Sequence, residues 1–68
     1  MNTHFEVVVG DYNTGYETID FNGRCNYITD LFGDFIGFMH KDEEEHELLL
    51  RVIHKDKIVQ ILNIGTEK

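Results

Sequence analysis

Residues 26–41 read Asn-Tyr-Ile-Thr-Asp-Leu-Phe-Gly-Asp-Phe-Ile-Gly-Phe-Met-His-Lys, and this stretch decides between two folds. At about 100° per residue, Ile28, Leu31, Phe32, Phe35 and Met39 share one face of a helix, while Thr29, Asp30, Gly33, Asp34 and Gly37 share the other. Asn26 can act as N-cap, Asp30 lies near the positive end of the dipole, and His40 and Lys41 lie near the negative end. The spacing predicts a helix from about Tyr27 to His40. Its two glycines each cost about 1 kcal/mol relative to Ala, so burial of the aromatic face has to offset them. Just upstream, Asn22-Gly23 is a strong two-residue turn signal that favours a strand over Arg24–Thr29 instead.

Working outward, Thr3–Val9 alternates Phe5, Val7 and Val9 against His4, Glu6 and Val8, the period of a half-buried strand. Asp11-Tyr12-Asn13-Thr14-Gly15 is dense in turn formers, and Tyr16–Phe21 alternates again, which predicts a first hairpin. Lys41–Glu47 reads as a solvated acidic connection, although Asp42 with Glu45 would also suit a capping box for a short helix running into Leu48–Leu50. Leu48–His54 and Lys57–Ile64 flank Lys55-Asp56 and read as a second hairpin. The order ββαββ is packed most economically as an α+β domain, a four-stranded antiparallel sheet with one helix on a face. An all-β small barrel is the alternative. Residues 1–68 are expected to form a single small domain.

The last two strands are apolar on both faces: Leu49 and Ile53 oppose Leu48, Leu50 and Val52, and Val59 and Ile61 oppose Ile58, Leu62 and Ile64. One helix covers one face of a sheet. A second cover is therefore expected over Val8, Leu49, Ile53, Val59 and Ile61, supplied by a homodimer or another apolar surface. A barrel that buries both faces internally would remove that need.

Charge is divided unevenly. Residues 1–47 carry eleven acids against Arg24 and Lys41, whereas residues 48–68 carry Asp56 and Glu67 against four bases, for a net charge of −7. Such a field repels nucleic acid and anionic membrane and attracts basic partners. The cluster Arg51, His54, Lys55 and Lys57 has no interleaved aromatic residue, a poor nucleic-acid footprint.

No constellation carries catalytic chemistry, and none is expected to hold a cofactor or metal. Asp11, Asn13 and Gly15 resemble the start of a calcium loop, but Gly15, Tyr16 and Asn22 then stand where an acid or amide, a glycine and a glutamate are needed. His40 and His46, flanking Asp42 and Glu43, lack the i, i+4 or i, i+2 spacing that converges on one ion. Cys25 has only the adjacent Arg24 to activate it and reads as a small core residue. Being the sole cysteine, it forms no intrachain disulfide, which favours a reducing setting. With no apolar run near the ~20 residues of a membrane span and no charged-then-apolar leader, a soluble cytoplasmic protein is expected.

On the predicted helix, Asp30 and Asp34 lie one turn apart beside Gly33 and Gly37. With Asn26 they form an expected docking stripe for a basic protein, extended by Asp42, Glu43, Glu44 and Glu45. Acids repeating at roughly 6–7 Å can also stand in for nucleic-acid phosphates. The expectation is a non-enzymatic acidic module that binds and inhibits or modulates a basic protein, such as a nucleic-acid-binding one, by surface occlusion. A homodimeric structural or ligand-binding protein is the alternative. The chain has no Ala, Ser, Pro or Trp and is rich in Ile, Asn, Asp, Phe and Lys, a usage that suits a phage or mobile-element accessory protein.

Overall fold

Alternation near the N-terminus builds the longest strand, β1 (Asn2–Asp11), whose Val7 is fully buried. The turn at residues 12–14 returns the chain as β2 (Gly15–Asp20), antiparallel to β1 with Val7 opposite Ile19. The computed structural model describes residues 2–66, and the side chains of residues 4–65. Glu67 and Lys68, counted in the charge division, lie outside the described residues.

After a turn at Asn22-Gly23 the chain forms an antiparallel meander of β3 (Tyr27–Leu31), β4 (Phe35–Lys41) and β5 (Glu47–His54). A short 3-10 turn, Lys55–Lys57, then leads into β6 (Ile58–Thr66), which pairs with β1. The result is two three-stranded antiparallel sheets, ordered β2-β1-β6 and β3-β4-β5. Alternation directs Val7, Ile19 and Ile61 of the first sheet and Ile28, Phe38 and Ile53 of the second into one core, which Cys25 joins from the intervening segment. Phe21 stacks on Phe38 with ring centroids 5.4 Å apart. The 14 Å thickness of the molecule matches two layers packed about 10 Å apart.

This architecture corrects the α+β expectation. No α-helix occurs among the described residues, there is no four-stranded sheet, and the chain is all-β, the class of the alternative reading. A helix over 27–40 fails at Phe32 and Gly33, which both adopt left-handed backbone, φ 58° and 78°. They turn the chain between β3 and β4, and the Asp30 carboxylate accepts the Gly33 N–H at 2.9 Å. Phe32, assigned by the helical wheel to a buried face, is 93% exposed at the tip. Leu31, Phe35 and Met39 lie on the outer side of the sheet and Ile28 on the inner, so the helical stripe is two apolar strand faces read as one. The second correction concerns the C-terminal half. β5 and β6 do not pair as a hairpin, because the 3-10 turn carries the chain from one sheet to the other. No helix precedes Leu48; Asp42 instead organises a tight turn.

Candidate functional site

The outer face of β3-β4-β5 is the most distinctive surface of the protein. Pairing places Leu31 opposite Phe35, Thr29 opposite Gly37 and Tyr27 opposite Met39; across β4, Phe35 faces His54, Gly37 faces Val52 and Met39 faces Leu49. The missing side chain at Gly37 leaves room that Leu31, Leu49 and Thr29 fill: a Cβ there would lie 3.0–3.3 Å from their terminal carbons. Around this dimple Phe35, Leu49 and Val52 remain 36–49% exposed, and the Phe35 ring meets the His54 ring edge-on at 4.9 Å. Such a contiguous apolar face on a small chain marks an interaction surface more often than an isolated exposed leucine does.

The face changes character along its length. Past Leu49 come Tyr27, Lys41 and Glu47, where the Lys41 ammonium sits 5.0 Å from the Tyr27 ring centroid. A hydrogen bond with Glu47 pushes the Tyr27 hydroxyl above its ordinary pKa. Beyond them lies the acidic turn. Asp42 Oδ1 accepts the N–H groups of Glu44 and His46 at 2.9 Å each, and the His46 backbone N–H bond chiefly holds the Asp42 carboxyl below its usual range. Glu45 takes a left-handed φ of 71° and pairs with Lys41 at 3.6 Å. Glu43 and Glu44 project into solvent from a turn whose backbone is held by Asp42.

The expected docking stripe is dispersed. Asn26 clips the meander, its side chain donating to the Lys41 carbonyl and accepting the Lys41 N–H, both at 2.8 Å. Asp30 is ion-paired with Lys55 at 2.8 Å, and that contact leads in lowering its pKa. Gly33 and Asp34 sit in the β3–β4 turn, and the Asp34 carbonyl accepts the Lys55 N–H. Seven residues of β4, about 20 Å of strand, separate them from Asp42, Glu43, Glu44 and Glu45. The expected apolar interface divides as well: Ile53 and Ile61 turn into the core, Leu49 joins the outer face just described, and Val8 and Val59 belong to the other sheet. Leu31, Phe35 and Val52 were missed as surface residues. The turn signal at Gly33 would have placed Leu31 and Phe35 on one face, whereas Val52 joins them only through the β4–β5 register.

Other polar groups serve the fold. His40 Nδ1–H donates to the Arg24 carbonyl at 2.6 Å. Cys25 is fully buried, its thiol lies 3.6 Å from the Tyr27 carbonyl, and desolvation raises its pKa, the reverse of what a nucleophile needs. No group of three metal-ligating side chains converges among the described residues. No helix among them is long and apolar enough to cross a membrane.

Lysines of the 3-10 turn fasten both sheets at one end: Lys55 Nζ to Asp30 in one, Lys57 Nζ to Asp11 in the other at 3.3 Å. Beside this clasp an open cleft of about 380 Å³ lies between the sheets, walled by Val9 and Ile19 on one side and Arg51 and Ile53 on the other.

Comparison with protein-family models, curated proteins and solved structures yields no match to this chain.

Proposed function

We propose that the protein is a small acidic docking module that binds a basic protein target and inhibits or modulates it by covering its surface. The observation that carries this reading is the juxtaposition on one sheet of an apolar centre, Leu31, Phe35, Leu49 and Val52, with the acidic turn from Asp42 to Glu47. Apolar burial supplies affinity, while the rim acids steer the encounter and set its orientation. The partner this surface fits has an apolar patch bordered by Lys or Arg, as on the shoulder of a nucleic-acid-binding groove. Asp30, paired with Lys55, and Asp34, in the β3–β4 turn, border the far end of the contact and contribute to the long-range field. A reducing, cytoplasmic setting belongs to the same reading, in keeping with a lone buried thiol.

The test compares three tagged baits in host lysate: the native chain, Glu43→Lys with Glu44→Lys, and Leu49→Asp. A stoichiometric basic protein retained by the native chain, released by moderate salt and lost from both variants is the expected result. Equal retention by all three would sink the proposal.

A homodimer using the same face is the second reading, favoured by its apolar area. Sedimentation across a dilution series separates the two: a dimer that Leu49→Asp dissociates would assign the face to self-association, and a monomer at all concentrations leaves it free for the target.

A further inference from the structure

Arg51 occupies an unusual position. It lies opposite Phe38 in the β4–β5 register and so departs from the core side of its sheet, yet it is exposed, because β5 is an edge strand beside the open cleft. Lys41, Lys55 and Lys57 each have a carboxylate partner within 4 Å, whereas Arg51 has none among the described residues of a chain with thirteen acids. The cleft is lined by the apolar Val9, Ile19, Val52 and Ile53 and by the polar Thr14, His54 and Lys57. β2 pairs only with β1 and β5 only with β4, so the seam between the two edges is not closed by backbone hydrogen bonds.

We propose that this seam binds a small amphiphilic anion, a carboxylate or phosphate head on a short apolar chain. The guanidinium offers a planar pair of donors that matches either head group. Lys57 also lines the cleft, its charge shared with Asp11, so Arg51 supplies the cation for the head group. The apolar chain lies along Val9, Ile19 and Ile53. A volume of about 380 Å³ is at the lower end of the range for small-molecule sites, which restricts the ligand to a short chain. The seam borders the docking face at Val52 and His54 and otherwise uses residues that face does not.

Two-dimensional amide NMR of the full chain tests this, by titration with sodium octanoate and with hexyl phosphate, each to about 10 mM. Saturable shifts at Val9, Ile19, Arg51 and Ile53 are expected, with octan-1-ol and inorganic phosphate binding more weakly than either amphiphile. Preference between the two amphiphiles identifies the head group. R51Q, checked by its own spectrum to be folded, should weaken binding tenfold or more, and R51K should recover part of it. The proposal is overturned if no shift saturates, if octan-1-ol binds equally well, if R51Q leaves affinity unchanged, or if the shifts map to Leu31, Phe35 and Leu49. Inward-pointing charge can also guard a sheet edge against self-pairing. R51Q that self-associates while the native chain binds neither amphiphile would assign Arg51 that role instead.

Discussion

Asp11 shows how much one side chain can organise. Its Oδ1 accepts the Asn13 and Thr14 N–H groups at 2.9 and 2.8 Å and the Thr14 hydroxyl at 3.0 Å, and its Oδ2 meets Lys57 at 3.3 Å. These contacts, led by the Thr14 backbone N–H, hold its pKa down to about 2 from 3.8. A carboxylate depressed in the folded state contributes stability above its unfolded pKa and loses it as pH falls through the folded value. The contribution is therefore complete above about pH 4 and vanishes toward pH 2. Asp30 and Asp42 are lowered too and act in the same direction. Asp11→Asn keeps an acceptor for the turn and removes the charge. It should melt below the native chain at pH 7, and the gap in melting temperature should close between pH 4 and 2; a gap independent of pH would exclude the charge as its cause. The local part of this arrangement was legible in the run of turn formers from Asp11 to Gly15. Lys57, 46 residues away, was not, because nothing local in a sequence brings the two together.

At the scale of elements, the turns decide what the strands become. Gly10 has φ 130°, and a Cβ there would lie 2.0 Å from the Gly15 carbonyl oxygen across the hairpin. Gly10→Ala should cost about 1–3 kcal/mol in backbone strain alone, at roughly 4–8 °C of melting temperature per kcal/mol for a domain of this size. Gly65→Ala, with open space around its Cβ and an ordinary backbone, should be near neutral by the same thermal melt. The first hairpin follows from its alternation, and the meander does not. Ile28, Leu31, Phe35 and Met39 satisfy a helical period because β3 and β4 are apolar on both sides, so the period that separates helix from strand is lost. Extra residues in the strands opposite Val8/Val9 and Phe38/Met39 shift the register of β6 and β5 and increase the local twist. The length of an apolar run does not show such a shift.

For the whole molecule, the margin of stability is set by a very small core. Val7, Cys25, Phe38 and Ile53 are buried, and the apolar groups packed against them are half-covered. Phe38→Ala removes the largest of the four and the partner of Phe21, a loss of about 3–5 kcal/mol. At roughly 0.05–0.15 kcal/mol per residue the entire domain is stable by about 3–10 kcal/mol. The variant should lose a large part of that margin and unfold at a much lower urea concentration at 25 °C, while Phe32→Ala, at an exposed tip, should unfold with the native chain.

Composition, charge and local alternation determined the acidic field, the first hairpin and the identity of Cys25 as a core residue, because these depend on residue type or on neighbours within a few positions. The two sheets, the pairing of β6 with β1, the clasp from the 3-10 turn and the split of the acids between opposite ends of β4 were decided by tertiary structure. Each depends on which of two apolar faces a strand turns inward. A strand apolar on both sides leaves that choice to the packing of the whole chain.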